Sequence, residues 1–175
     1  MLAGRTPLAH RQTGRLGAPG ARLGLPASKG IEMKLIEDPR LAHEIEITPA
    51  FHDLDPMEIV WHGRYVQYLE QARCALLQRL GYDYPQMRAS GYAWPVIRMA
   101  LKYVRPAEYG MRLGVRACIT EWEHRLRIDY RVRDLATGTR LTEAYTMQVA
   151  VDMRTREMQY VSPAVLFDKL GMPPP

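Results

Sequence analysis

Asp53, Asp55 and His62 lie close together in a polar, irregular segment that runs straight into a helical pattern, FHDLDPMEIVWHGRYVQYLEQARCALLQRL from Phe51 to Leu80. A carboxylate held just ahead of a helix can attack a carbonyl carbon or activate a water that does so. The first amides of the helix have no intrahelical acceptor and sit at the positive end of its dipole, so they can stabilise the oxyanion that forms. Asp55 suits the first task, and the backbone N–H groups of His62 to Arg64 suit the second. The plainer role for Asp55 is that of a turn aspartate bonded to its own backbone ahead of Pro56. For His62 it is that of a helix-entry residue whose ring does nothing.

The helix that must present these groups is legible from its period. Val66, Leu69, Leu76, Leu77 and Leu80 fall on one face at 3.6-residue spacing, and that face needs a sheet to lie on. Gly63 admits the chain to the helix and Gly81 stands where a C-terminal glycine cap belongs, giving a rod of about 18 residues and about 27 Å. Glu70 turns toward the apolar face, where a lone carboxylate is costly, and Arg73 three residues on is the expected partner. Cys74 suits packing better than nucleophilic work, since no histidine is near it in sequence.

The rest of the chain supplies strands. AHEIEITPAF from Ala42 alternates Glu44, Glu46 and Thr48 against His43, Ile45 and Ile47. Tyr82 to Ser90 has turn-like composition and no period. Gly91 opens an extended stretch, YAWPVIRMALKYVRPA, with irregular ends at Pro95 and Pro106. MRLGVRACITEWE places Met111, Leu113, Val115, Ala117 and Ile119 on one face. RLRIDYRVRD does the same with Leu126, Ile128, Tyr130 and Val132, leaving the opposite face to solvent. After a turn at Ala136-Thr137-Gly138, TRLTEAYTMQVAVDM alternates Tyr145, Met147, Val149 and Val151 with Ala144, Thr146, Gln148 and Ala150. A short helix capped by Ser162 ends before Gly171. This order predicts an α+β fold, a long helix laid on a five-stranded antiparallel sheet whose last long strands form a meander.

Composition narrows the function. The 175 residues with 47% apolar content support one core, and no apolar run approaches a membrane span. The formal charge of +5 comes entirely from Arg5, Arg11, Arg15, Arg22 and Lys29 in an acid-free leader, so the remaining chain is neutral and is not a nucleic-acid-binding surface by composition. Residues 1–32 read as a disordered extension, either an upstream start ahead of Met33 or a transit-like leader, and residues 42–172 as a single domain. Two cysteines at positions suited to buried hydrophobes fit a reducing cytoplasm. Neither metal-ligand spacing nor a phosphate-cradling or dinucleotide motif is present, so no metal or cofactor is implied.

The residues already quoted resemble the hydroxybenzoyl-CoA thioesterase family of hotdog-fold acyl-CoA hydrolases. The resemblance rests on Asp53-Leu54-Asp55, Ile59-Val60-Trp61-His62, Tyr65 and Tyr68 to Arg73, and on Val96, Tyr103, Pro106 and Ala107 in the second strand. It covers about residues 42–170. It implies Asp55 as the catalytic carboxylate and His62 beside the thioester carbonyl, with Trp61, Gly63, Tyr65, Glu58 and Trp94 around the substrate. It also implies an acyl-CoA or acyl-carrier-protein substrate and a homodimer or homotetramer whose sheets join edge to edge, so that each substrate tunnel is lined by two subunits. Glu58 stands where the family has glycine and is a solvated loop residue, a second acid or a gate over the pocket. Tyr92, Trp94 and Trp122 are either plain core or an acyl pocket. Two other readings stay open: a non-catalytic acyl-thioester-binding scaffold, and a hotdog hydratase or dehydratase, whose Asp–His arrangement near an Asn-Pro this chain lacks.

Overall fold

The computed structural model describes residues 38–175. The expected extension at 1–32 lies outside the described residues. Five strands form one antiparallel sheet: β1 (Ala42–Ile47), β3 (Val96–Tyr103), β4 (Leu113–Glu121), β5 (Leu126–Asp134) and β6 (Arg140–Gln148). Their spatial order is β1-β4-β5-β6-β3, which leaves β1 and β3 as edges. β2 (Tyr92–Ala93) and β7 (Val151–Asp152) make a second, two-stranded sheet. A single long helix, α1 (Arg64–Arg79), lies against β1 and β4. Two short helices follow, α2 (Tyr84–Ala89) and α3 (Ala164–Leu170).

The meander was read correctly because its alternation is clean. Leu113, Val115, Ala117 and Ile119 of β4 stand opposite Asp134, Val132, Tyr130 and Ile128 of β5, and the apolar members are fully buried beneath the helix. Each large apolar side chain buried this way contributes roughly 1.5–3 kcal/mol. Gly138 turns the chain between β5 and β6 with φ 72°. Gly81 ends the long helix at φ 63°, as expected, although the helix itself runs 16 residues rather than 18.

Several details differ from the sequence reading. The buried stripe of α1 is Tyr65, Tyr68, Leu69, Ala72, Arg73, Leu76 and Leu77, whereas Val66 is 38% exposed. Tyrosine hydroxyls that find partners turn the stripe from the all-aliphatic one. Residues 84–89, expected to be irregular, form α2, which Pro85 initiates and whose buried residue is Met87. The face of β6 that meets the helix carries Thr142, Ala144, Thr146 and Gln148, because these pair in register with Val132, Tyr130, Ile128 and Leu126. Nor is the outer face of β5 simply solvated: Asp129 is buried there, with Arg127 Nε at 2.8 Å and Thr120 Oγ1 at 3.3 Å. Ser162 does not cap α3. Pro163 occupies that place, and Gly171 closes the helix at φ 64°.

The polar side chains under α1 join in one network. Arg73, 8% exposed, donates to Glu70 through Nη2 and to Gln148 Oε1 through Nη1 at 3.3 Å. The Tyr84 hydroxyl donates to Glu70 Oε1 at 2.6 Å. Tyr130 and Thr146 share a hydroxyl bond of 3.1 Å. The expected Glu70–Arg73 pair is therefore present with the burial reversed, since the Glu70 side chain is 45% exposed and the arginine is the buried member.

Candidate active site

Residues 53–61 form a tight hairpin ahead of α1. The Trp61 amide donates to the Asp53 carbonyl at 2.8 Å, and Leu54 bridges Val60. The Asp55 amide donates to the Ile59 carbonyl, and the Glu58 amide to the Asp55 carbonyl, both at 2.9 Å. The chain turns through Asp55-Pro56-Met57-Glu58. To close it, Glu58 takes φ 63°, the left-handed conformation that glycine adopts at no cost. The glycine that the resemblance leads one to expect at this position is absent, yet its backbone geometry is kept.

A residue with a Cβ loses about 1–2 kcal/mol in that conformation, while glycine gives up roughly 0.5–1 kcal/mol in the unfolded chain. Glu58→Gly should therefore raise stability by a few tenths to about 1 kcal/mol, read as a higher urea midpoint at unchanged m-value. A lower midpoint would mean that the exposed Glu58 carboxylate makes a contact outweighing the strain.

Asp55 is held by its own turn: Oδ1 accepts from the Met57 amide at 2.8 Å. That is the plain role foreseen for it, and it leaves Oδ2 available. The carboxylate lines a cavity of about 340 Å³ together with His62, Tyr65, Ile59, Tyr103 and Arg105. The connection between β3 and β4 holds the hairpin on this side, through the Val60 amide on the Ala107 carbonyl at 2.8 Å and the bridge between Ile59 and Glu108. Tyr65 is buried. Its hydroxyl accepts from the Ala107 amide at 3.0 Å, and its ring meets that of Tyr103 edge-on at 5.3 Å. Burial raises the Tyr65 hydroxyl above the ordinary phenol range, so it stays protonated. The Tyr103 hydroxyl donates to the His62 carbonyl at 2.9 Å, which fixes the peptide at the helix entry.

Of the amides expected to face an oxyanion, that of Arg64 is already spent on the Trp61 carbonyl at 2.8 Å. Those of His62 and Gly63 donate to no acceptor among the described residues. Gly63 stands against the Trp61 indole so closely that a Cβ would meet its ring at 2.3 Å. Trp61 itself is exposed, its ring tilted against that of His62 with centroids 5.1 Å apart, outside the lining of the cavity. Glu58 is exposed and also outside it.

Trp94 is the residue the chain places elsewhere. It is buried, donates Nε1 to the Tyr82 hydroxyl at 3.2 Å, and lines a second, apolar cavity of about 510 Å³ with Tyr84, Met87, Tyr92 and Met153. Within one chain Trp94 and Asp55 therefore do not share a pocket. Tyr103 and Arg105 were missed as pocket residues because the extended stretch that carries them reads only as a strand end. Among the described residues no three His, Cys, Asp or Glu side chains gather as a metal site, and no helix is long and apolar enough to cross a membrane.

Residues 49–173, spanning the hairpin, the helix and every strand of the sheet but β1, match the model of the thioesterase-like superfamily. The chain belongs to that superfamily. A putative esterase of Synechocystis, sll0410, is 28% identical over 128 residues, 73% of this chain and 77% of the relative. A putative acyl-CoA thioesterase of Bacillus subtilis, YneP, is 32% identical over 77 residues, 44% of this chain and 56% of that one. Among solved structures, the 1,4-dihydroxy-2-naphthoyl-CoA thioesterase Slr0204 of Synechocystis superposes with TM-score 0.67 at 21% identity, over 74% of this chain and 96% of that chain. The likeness in structure is one of fold, the hotdog arrangement of a long helix on a five-stranded antiparallel sheet. In this thioesterase the matched region includes the whole hairpin and the cavity it faces.

Proposed function

We propose that this thioesterase hydrolyses an acyl-CoA thioester, with Asp55 as the general base. The observation that carries the reading is one cavity lined by Asp55 and His62 at the entry of a 16-residue helix, where the amides of His62 and of the adjoining Gly63 make no bond among the described residues. The thioester oxygen sits toward those amides. Asp55 Oδ2 accepts a proton from water as the water oxygen bonds to the carbonyl carbon, and the negative charge that develops on the carbonyl oxygen is met by the two N–H groups and the helix dipole. Collapse of the tetrahedral adduct breaks the C–S bond. The proton held by Asp55 passes to the departing thiolate, which leaves acid and thiol. His62 flanks the carbonyl, and Arg105 supplies a cation at the mouth for the phosphates of the carrier.

The active unit in this reading is at least a dimer. β3 is an edge strand with Val96, Ile97 and Tyr103 exposed, and an uncovered apolar edge invites pairing with another chain. A two-fold antiparallel pairing of two β3 edges sets the start of one strand beside the end of the other. It brings the Trp94 cavity of one subunit toward the Asp55 cavity of its mate, which gives Trp94 the substrate-binding place it lacks within one chain.

Thiol release from a panel of acyl-CoA and acyl-carrier substrates, measured with a thiol reagent across size-exclusion fractions, tests both parts. Turnover is expected in fractions of about twice the chain's 20.1 kDa. Full activity in the single-chain fraction would remove the shared site. Binding without thiol release would favour a scaffold, and hydration of an enoyl-CoA a hydratase.

A further inference from the structure

We infer that Asp53 is a positioning residue, which sets the distance between the Asp55 carboxylate and the helix-entry amides by clasping the hairpin to α1. The inference rests on the reading of Asp55 as the base. Asp53 is 7% exposed and ends the 3-10 turn Phe51–Asp53, two residues before Asp55. Its Oδ2 accepts from the Tyr68 hydroxyl at 2.7 Å and from the Ala50 amide at 2.9 Å. Oδ1 faces Arg64 Nε at 3.2 Å and His52 Nε2 at 3.6 Å. The carbonyl of the same residue takes the Trp61 amide, so Asp53 also closes the hairpin at its base.

These contacts divide the hairpin's attachments into two sets. Ala107 and Glu108 tie it to the strand side, through Val60 and Ile59. Asp53 ties it to the helix, through the first turn at Arg64 and the second at Tyr68. The catalytic carboxylate lies on the hairpin, and the oxyanion donors, the amides of His62 and Gly63, lie at the helix entry between hairpin and α1. A displacement of about 1 Å between such groups can cost on the order of 10²-fold in rate. Burial pushes the Asp53 carboxyl up, but the bonds from Tyr68 and Ala50, with His52 and Arg64 beside it, bring it below the usual carboxylate range, so it is ionised at neutral pH. Burial, and after it the same contact, raises the Tyr68 hydroxyl well above the ordinary phenol range, which keeps the donor protonated.

Asp53→Asn keeps the shape and one acceptor oxygen, and turns an NH₂ toward either Tyr68 or Arg64. Tyr68→Phe removes a single bond from the helix side and leaves a buried ring, which provides a well-folded second probe. Both are compared with Asp55→Asn on an acyl-CoA, well below each variant's unfolding midpoint. Asp53→Asn should lower kcat by about 10–100-fold with KM within about threefold, and Tyr68→Phe should lower kcat by a smaller factor in the same pattern. A purely structural role would lower the midpoint and leave kcat of the folded enzyme near its parent value, and that result in both variants overturns the inference. If Asp55→Asn is inactive while Asp53→Asn and Tyr68→Phe are fully active, the positioning role alone falls. If Asp55→Asn is itself active, the base assignment falls and takes this inference with it.

Discussion

Asp55→Asn is expected to lower kcat for thioester hydrolysis by about 10²–10⁴-fold, the usual loss when a general base is removed, with the unfolding midpoint almost unchanged. Stability should survive because the one bond Asp55 makes, Oδ1 to the Met57 amide, is equally available to an asparagine oxygen. The turn also keeps its other closures, the Glu58 amide on the Asp55 carbonyl and the Asp55 amide on Ile59. What changes is the second oxygen, which becomes an NH₂ group unable to take a proton from water. KM should move little, since the walls and the helix-entry amides are intact and carboxylate and carboxamide have nearly the same volume. Retention of more than about a third of wild-type kcat would assign the proton transfer to another group and leave Asp55 as a turn former.

The sheet was legible because each strand of the meander obeys a period of two with few exceptions. Leu113 to Ile119 and Leu126 to Val132 alternate without a break, and their apolar members are all buried, with Asp129 the buried exception on the outer face of β5. β6 shows where such reading stops. Thr146 and Gln148 look like a solvent face, yet register with β5 turns them under the helix, where Tyr130 and Arg73 supply hydrogen-bond partners. Hydrophobicity cannot assign a strand face when the buried side is polar and satisfied. Tyr84 to Ala89 was missed for a related reason, since six residues give too little sequence for a helical period to appear.

The site was legible in its types and spacing rather than in its shape. An aspartate before a proline, then a glycine at the helix entry, is enough to place Asp55, His62 and Gly63 near one another. The left-handed backbone of Glu58 carries no signature in a residue type that avoids it, so only the structure reveals that the turn is preserved. Asp53 passed as a companion of Asp55 because a buried and an exposed carboxylate look alike in sequence. Spacing offered one clue: Tyr68 falls one helical turn from Arg64, which places both on the face that meets the hairpin.

Arg73→Met should lower stability by roughly 2–4 kcal/mol, below the top of the range for breaking a buried ion pair by removing one partner. The discount follows from unequal burial. Glu70 is nearly half exposed and can return to water when its guanidinium is gone, and the Tyr84 hydroxyl still donates to it. Gln148 has no such escape. At 1% exposure it loses the donor on Oε1 and keeps only a marginal bond from its NH₂ to Thr146 at 3.5 Å. An acceptor buried without a partner costs about 1–3 kcal/mol, and methionine recovers most of the lost packing. Burial alone would depress the Arg73 guanidinium, but Glu70, with Tyr130 and Tyr84 nearby, holds it above its ordinary value, so the cation is stabilised in place. Glu70→Gln should therefore cost no more than about 1 kcal/mol, as expected for a partly solvated pair. Urea unfolding of the two single variants and the double variant measures both quantities. Equal losses from Arg73→Met and Glu70→Gln would attribute the effect to the ion pair and refute its origin in Gln148, and a neutral or stabilising Arg73→Met would show that the buried acceptor finds another donor under the helix.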